Sequence, residues 1–313
     1  MRLSILSVLL LSLCPVRAQR LTFVELNCEN LFDCQHDEGN DDQDFTPEGS
    51  RRWTHTRYWN KVNGVAQALL ACSQQLPDVV VLIEVENDSV LRDLTARSLL
   101  RQAGYHYVMT HSADVRGIDV ALLYQPQRFK LIEHTAIAIE PMRNQRPTRD
   151  LLLVKGRVLS GDTLHLIVVH APSRSGGELE TKGYRKHVAQ RLLQTLDSIG
   201  GGSVVVAGDF NDYADSPSLQ LLGSQLHNVT AQAQGSHGAK GTYRFKGDWH
   251  SLDHVLLSPS LLSHLDSAYI CDAPFLLEKD KKYGGVKPRR TFNGFRYEGG
   301  TSDHLPLVVC LVF

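Results

Sequence analysis

Long apolar runs are nearly absent from this chain. Beyond its first residues, no stretch is apolar for long enough to cross a bilayer as a helix. An excess of one charge is missing as well. The 33 basic residues face 34 acidic ones, a formal net charge of −1. That balance excludes a strongly basic nucleic-acid binder, although a local patch and bound cations can still accommodate a polyanion. Cysteine is sparse, with six residues and no regular spacing, which excludes a disulfide scaffold. No internal repeat or long low-complexity run is present, so a single domain is expected over 19–313.

The chain opens on an export signal. Arg2 supplies a positive start, Leu3 to Leu13 is an apolar run too short to span a membrane, and Val16-Arg17-Ala18 offers small residues where a signal peptidase reads. Residues 1–18 therefore read as a signal peptide, and the protein as exported, periplasmic or extracellular. Cys14 after Leu11-Ser12-Leu13 gives a lipoprotein alternative, ranked second because Leu13 is bulky where a small residue is usual. Cutting after Ala18 removes Arg2 and Arg17, leaving 31 basic against 34 acidic residues, a net charge of −3. Five cysteines remain, and their spacing does not choose a pair.

With 42% hydrophobic residues the chain can bury a large core. Leu21 to Leu26 reads as a first strand. Tyr58, Trp59, Val62, Val65, Ala66, Leu69 and Leu70 recur at helical spacing, which predicts a helix over 55–73 that stops before Pro77. Val79 to Ile83 is a β-branched run typical of a strand buried on both faces. A second helix is expected over 88–102. Strand-like runs follow at 105–110, 118–124, 128–133, 150–159 and 163–170. A long amphipathic helix over 180–199 leads into Val204-Val205-Val206, and strands are expected again at 252–258 and 305–312. Strand clusters with covering helices argue for two packed sheets flanked by helices.

The polar residues that need explaining stand where these strands end. Asn27 and Glu29 follow the first, Glu84 and Glu86 the second, and His170 ends another. Asp209 and Asn211 follow Val204 to Ala207, Asp253 opens a strand, and Asp303-His304 precedes the last. Sites built at strand ends gather residues distant in sequence while a rigid sheet holds them. Glu84, directly after five apolar residues, suits a hard cation, which prefers oxygen ligands. Glu86 points to the same face by the period of two and is the weaker ligand. Asp209 is a proton acceptor or metal-shell carboxylate, and Asn211 a donor to a phosphate oxygen, although Gly208-Asp209-Phe210-Asn211 also suits a plain turn. His304 beside a carboxylate can act as a base, with Asp253 fixing its tautomer. A protonated His170, or Arg174, can neutralise charge growing on a phosphoryl group, and Asp119 is a candidate carboxylate partner for His170. Arg116 and Arg174, with Arg290 from the basic, aromatic segment 279–297, are candidates to hold substrate. The acidic loop 37–44 lacks the spacing of a known calcium loop and reads as solvated.

These pieces in this order resemble the endonuclease/exonuclease/phosphatase superfamily, which includes deoxyribonuclease I, apurinic endonucleases, sphingomyelinases and inositol phosphatases. Asn27 with Glu29, Glu84, His170 with Pro172 and Ser173, Asp209 with Asn211, Asp253, and Asp303-His304 carry the resemblance, from about residue 21 to 313. It implies a four-layer α/β/β/α sandwich with two mostly antiparallel sheets. It implies Mg2+, or Mn2+ or Ca2+, held principally by Glu84 with Asn27 and Asp303 nearby and Glu29 in the same group. His304, oriented by Asp253 or Asp303, would take the proton of the attacking water, which Asp209 places. Asn211 and His170 would stabilise the transition state. Ile83 stands where many relatives carry Gln and Val169 where a polar residue is common, so the substrate pocket should differ from the best-known nucleases. His170 is closer to deoxyribonuclease I than to the apurinic endonucleases, which typically have Tyr there. Glu29-Asn30-Leu31-Phe32-Asp33 is similar to exported bacterial members.

The expected activity is hydrolysis of phosphodiesters by activated water, with an exported nuclease first. A phosphomonoesterase or a phospholipid or sugar-phosphate hydrolase is the alternative. A non-catalytic binding module comes third, because Glu84, Asp209, Asn211, Asp253 and His304 are all retained. The expected partner is a phosphate-ester substrate, DNA or RNA among the candidates, and the expected state a monomer.

Overall fold

Valine- and leucine-rich runs with few polar breaks have to be covered on both faces, and this sequence carries them in both halves. The structure, a computed structural model, describes residues 19–143 and 145–313. The expected signal peptide, with Cys14, lies outside the described residues. The elements in chain order are β1 (Arg20–Leu31), α1 (His55–Ala71), β2 (Val79–Val85), α2 (Asp88–Ala96), β3 (His106–Met109), β4 (Asp119–Tyr124), β5 (Phe129–Ile137), β6 (Leu151–Val158), β7 (Thr163–His170), α3 (Glu178–Ile199) and β8 (Ser203–Asp209). There follow α4 (Pro217–Leu222), β9 (His227–Asn228), β10 (Tyr243–Phe245), β11 (Asp248–His250), β12 (Asp253–Leu257), β13 (Leu265–Ile270), β14 (Leu277–Lys279), β15 (Val286–Pro288), β16 (Phe292–Asn293), β17 (Arg296–Tyr297) and β18 (Leu307–Val312).

Two six-stranded sheets result. Sheet one runs β13-β18-β1-β2-β4-β3, and sheet two runs β5-β6-β7-β8-β12-β9. Each has one parallel pair at its centre, β1 with β2 and β7 with β8. The other pairs are antiparallel, so the fold is the expected α/β sandwich of two mostly antiparallel sheets.

The period of two along each strand divides its side chains between two cores. Ile167, Val169, Val204, Val206 and Leu256 turn outward onto Tyr184, Val188, Leu192 and Leu196 of α3 and Leu219 and Leu222 of α4. Their neighbours Leu166, Val168, Val205, Ala207 and Val255 turn inward and share a core with sheet one and with Val62, Val65 and Leu69 of α1. Helices therefore cover both outer faces. Local signals set their ends: Asn87 caps α2 by accepting from Val90 N–H, and Gly200, with φ 73°, closes α3 in the left-handed conformation glycine favours.

Several expectations change. The second helix stops at Ala96 rather than near 102, because the Ser98 hydroxyl donates to Leu94 O and accepts from Leu100 N–H, offering the backbone an alternative to the helix. Helix α4, strand β13 and the three short hairpins β10–β11, β14–β15 and β16–β17 had no strong periodicity. The acidic loop 37–44 is not simply solvated. Asp42 is fully buried, accepts from Asp37 N–H at 2.9 Å, and pairs with His36. Glu86 does not share a face with Glu84, because φ of 62° at Glu84 interrupts the alternation. The five described cysteines are all free and buried.

Candidate active site

The strand ends meet at a cleft of about 760 Å³. Asn27 and Glu29 from β1, Glu84 from β2, and Asp209 with Asn211 from the end of β8 line it, and so do Asp303 and His304 before β18. Arg116, Arg174 and Arg290 also face it. His170 and Asp253 stand behind the lining, 2% and 0% exposed. Ten of the twelve expected site residues thus reach one cleft, and the other two brace it.

Sheet two supplies adjacent groups by register. His170 lies opposite Asp209 in the parallel β7–β8 pair, and Asp253 lies opposite Asp209 across β8–β12. Asp209 Oδ2 accepts from Asn27 Nδ2 at 3.0 Å and Asn211 Nδ2 at 3.2 Å, and its Oδ1 accepts from Asn211 N–H at 2.7 Å. Burial, then the charge of Asp253, pushes the Asp209 carboxyl up to about 7 despite those donors.

Asp253 and His304 form a dyad. His304 Nδ1 lies 2.8 Å from Asp253 Oδ2, which leaves Nε2 free for the cleft. Burial opposes a charge on this imidazole, but Asp253, with Asp303 and Asp209 beyond it, holds its pKa well above the ordinary value. Thr242 Oγ1 donates to the same Asp253 oxygen. Ser302 Oγ accepts from His304 N–H at 3.0 Å and donates to Asn27 O at 2.6 Å, so the His304 backbone is tied to β1.

Sheet one supplies its groups through bulges. The β1–β2 register slips between Asn27 and Leu31, and the β2–β4 register slips between Ile83 and Val85. Glu29, Asn30 and Glu84 take φ of 50°, 60° and 62°, and Asn211 across the cleft takes 51°. Non-glycine residues avoid this region unless surroundings force it, and such strain collects at functional sites. Here it re-aims Glu84. Its Oε2 accepts from Asn30 N–H at 2.9 Å, and its Oε1 faces Arg116 Nη2 at 3.5 Å and His170 Nε2 at 3.8 Å.

Three expectations are corrected. Asp119 does not pair with His170; it accepts from Thr110 Oγ1 at 2.6 Å and Ser112 N–H at 2.9 Å. His170 is poorly suited to carry charge. Burial, then Arg149 and Arg116, hold its pKa well below the ordinary value, so it faces Glu84 and Asp209 as a neutral imidazole, with Nε2 3.8 and 3.9 Å from their oxygens. Glu29 turns its carboxylate onto Thr291 N–H at 2.7 Å and Phe292 N–H at 3.1 Å, with Arg290 Nε at 3.7 Å. That binding spends its oxygens on the 291–292 backbone.

Other residues carry little sequence signal. Lys61, on an otherwise apolar face of α1, is 1% exposed and donates to Glu29 O at 3.2 Å, Thr301 O at 2.6 Å and Thr291 Oγ1. Arg149 spans Asp114 Oδ2 at 3.0 Å and Ala171 O at 2.9 Å behind His170. Tyr213, Tyr243, Phe245, Phe292 and Arg51 complete the walls. Arg174 stacks over Tyr213 at 4.3 Å, and Arg51 over Phe292 at 4.8 Å. Only the aromatic interleaving of 279–297 pointed toward any of them.

The donors fit a hard divalent cation. They are carboxylates and amide oxygens, and Glu84 Oε1 faces Arg116 and the neutral His170 without a close hydrogen bond. Asp209, Asp253 and His304 also offer atoms within 4.8 Å of one another. The Asp253–His304 contact occupies that imidazole's Nδ1, so Glu84 is the better anchor.

A carboxylate-lined cleft at the strand ends of a paired-sheet sandwich fits a class: divalent-metal-dependent phosphoric ester hydrolases of the deoxyribonuclease I-like fold. Residues 22–312 match the endonuclease/exonuclease/phosphatase family, and the chain belongs to it. Solved structures share the fold at low identity. An endonuclease/exonuclease/phosphatase family protein from Bacteroides thetaiotaomicron is 18% identical, with TM-score 0.63 over 95% of this chain and 96% of that one. A mannosyl-6-phosphatase from the same organism is 17% identical, with TM-score 0.63 over 94% and 100%. D. rerio TDP2 complexed with a single-strand DNA product is 17% identical, with TM-score 0.58 over 93% and 98%. No curated protein matches.

Proposed function

We propose that this protein hydrolyses phosphodiesters, as an exported nuclease or nucleotide-directed phosphodiesterase. The observation that carries the diester reading is a stacked arginine–aromatic pair from each sheet's loops. Arg51 with Phe292 comes from the sheet-one side and Arg174 with Tyr213 from the sheet-two side, and all four line the cleft. Two such platforms suit a phosphorus with organic groups on both sides, since planar rings stack on aromatics and guanidinium groups. The cleft volume also falls within the range for small ligands, which favours a compact sugar-phosphate monoester as the second reading.

In this reading Glu84, with Asn27 and Asp303, holds Mg2+ or a similar ion, which supplies positive charge to the phosphoryl oxygens. In its neutral form, which the raised pKa moves to more alkaline pH, His304 takes the proton of the attacking water at Nε2, and Asp253 holds the imidazole by Nδ1 and stabilises the cation that forms. Asp209 orients the water while Asn27 and Asn211 fix its carboxylate. His170 donates to a non-bridging oxygen as a neutral group. Arg116 and Arg290 offset the phosphate charge, and positioning with charge neutralisation does most of the work. Glu29 shapes the wall by fixing 291–292. For export, β1 begins at Arg20, so a cut after Ala18 spares the sheet.

Bis(p-nitrophenyl) phosphate, p-nitrophenyl phosphate, DNA and RNA, each with magnesium and with chelator, form the test. Diester turnover should exceed monoester turnover, vanish with chelator, and fall about 10³-fold in His304→Ala. Faster monoester turnover would sink the diester reading, and full activity in His304→Ala would remove its role as base.

A further inference from the structure

We propose that Asp37, Asp42 and Glu86 form a second cation site, for a calcium-class ion, in the loop that follows β1. The three carboxylates offer oxygens within 4.8 Å of one another. They come from two separate segments, Asp37 and Asp42 before α1 and Glu86 after β2.

Glu86 gives the independent pointer. It is 4% exposed, and its Oε2 accepts from Asp33 N–H at 2.6 Å. Its Oε1 is buried without a hydrogen-bond partner. A buried carboxylate oxygen left unpaired is costly, and native proteins rarely keep one without a ligand. Asp42 is fully buried as well. Among the described residues, the one salt-bridge partner of these three carboxylates is His36, which meets Asp42. Among the described residues, no lysine or arginine pairs with them.

The chemistry selects the ion. An all-carboxylate set calls for a hard cation. Magnesium is usually held by one or two carboxylates and keeps several waters, whereas calcium takes six to eight oxygens in flexible geometry, so three converging carboxylates suit calcium. Asp37 is exposed, leaving room for the waters that complete a calcium shell.

The site is separate from the catalytic cleft, although Glu84 and Glu86 are two positions apart. The left-handed Glu84 aims one carboxylate into the cleft and leaves Glu86 facing the loop. The role is structural, and it reaches the cleft wall. Asp41 N–H donates to Val115 O at 2.7 Å, and a Cβ on Gly117 would come within 2.4 Å of Asn40 Nδ2. Arg116, between them, faces Glu84. At the far end of the same loop, Arg51 stacks on Phe45 and Phe292. An ion here would hold both arginines in place.

Thermal unfolding and calorimetric titration of chelator-treated protein with calcium chloride test this. About 1 mM calcium should raise wild-type Tm by about 5 °C. The rise should persist in Glu84→Gln, fall by at least half in Asp37→Asn, and vanish in Glu86→Gln. Asp37→Asn is at the surface, so it keeps the test valid if Glu86→Gln folds poorly. No wild-type rise, an undiminished rise in Asp37→Asn, or an equal rise with magnesium would overturn the proposal. Loss of the rise in Glu84→Gln would overturn it too, by assigning the ion to the cleft. This outcome is independent of the catalytic reading, which is tested by turnover.

Discussion

Sheet two and sheet one bring polar groups to the same cleft by different geometry. In sheet two, His170, Asp209 and Asp253 stand side by side in unbroken ladders. In sheet one, Asn27, Glu29 and Glu84 arrive through register slips, with positive φ at Glu29, Asn30 and Glu84. A ladder aims its side chains by ordinary pleat geometry, whereas a bulge re-aims them through strain that the surroundings must hold. The first kind of site should tolerate backbone-neutral change; the second should depend on what braces it.

The largest effects come from removing one group of each kind. Glu84→Ala in sheet one and Asp209→Ala in sheet two should each lower kcat by about 10³-fold with magnesium, while both proteins remain folded by circular dichroism. A loss under about tenfold in either variant would show that its sheet does not deliver a catalytic group, breaking the comparison at its root.

The next effect tests the brace. Lys61 lies under the β1 bulge and ties Glu29 O to Thr291 and Thr301, which carry the loop across the cleft. Lys61→Met removes the ammonium from all three oxygens and leaves Thr301 O only the Thr291 hydroxyl at 3.3 Å. It should lower stability by about 2–4 kcal/mol in urea unfolding, with KM rising more than kcat falls as the Arg290 wall loosens. An unchanged urea midpoint would mean the bulge holds itself.

A smaller effect isolates the strain. At Asn30, φ is 60° and the N–H holds Glu84. Asn30→Gly should leave stability within about 0.5 kcal/mol, while Asn30→Val should cost about 1–2 kcal/mol and lower activity. Equal behaviour of the two variants would remove strain from the account of sheet one.

The same contrast explains what could be read in the sequence. Val79 to Ile83 and Val204 to Ala207 announce buried strands, so Glu84 and Asp209 stand out as the polar residues that end them. Asp253 and His304 were legible for the same reason. What the bulges do was not legible. Period-two reasoning puts Glu86 on Glu84's face, and only a left-handed Glu84 separates them. It likewise gives no hint that Glu29 turns onto the 291–292 backbone, a contact that spans more than 260 positions. Lys61 and Arg149 carry no local signal, because their partners are backbone oxygens and a carboxylate supplied by distant segments. The Asp119–His170 pairing failed because Thr110 and Ser112, in the loop that follows β3, satisfy Asp119 first.

The smallest effect concerns the rims. Arg174 is 29% exposed, already pairs with Glu178 at 2.8 Å, and stacks on Tyr213. A partly solvated cation that has a partner gives up little of its charge to a substrate, and salt screens what remains over about 10 Å. Arg174→Ala should therefore raise KM for DNA about three- to tenfold, leave kcat within about twofold, and lower the salt slope of binding by about one. Arg290 is exposed to a similar degree and is likewise paired, but its partner, Asp303 at 2.6 Å, is one of the groups proposed to hold the cation. Arg290→Ala should lower kcat as well as raise KM. Since the two arginines share no partner, the double variant should multiply the single effects. A double variant no worse than Arg290→Ala would place both arginines on one stretch of substrate, and their independence on opposite sides of the cleft would fail.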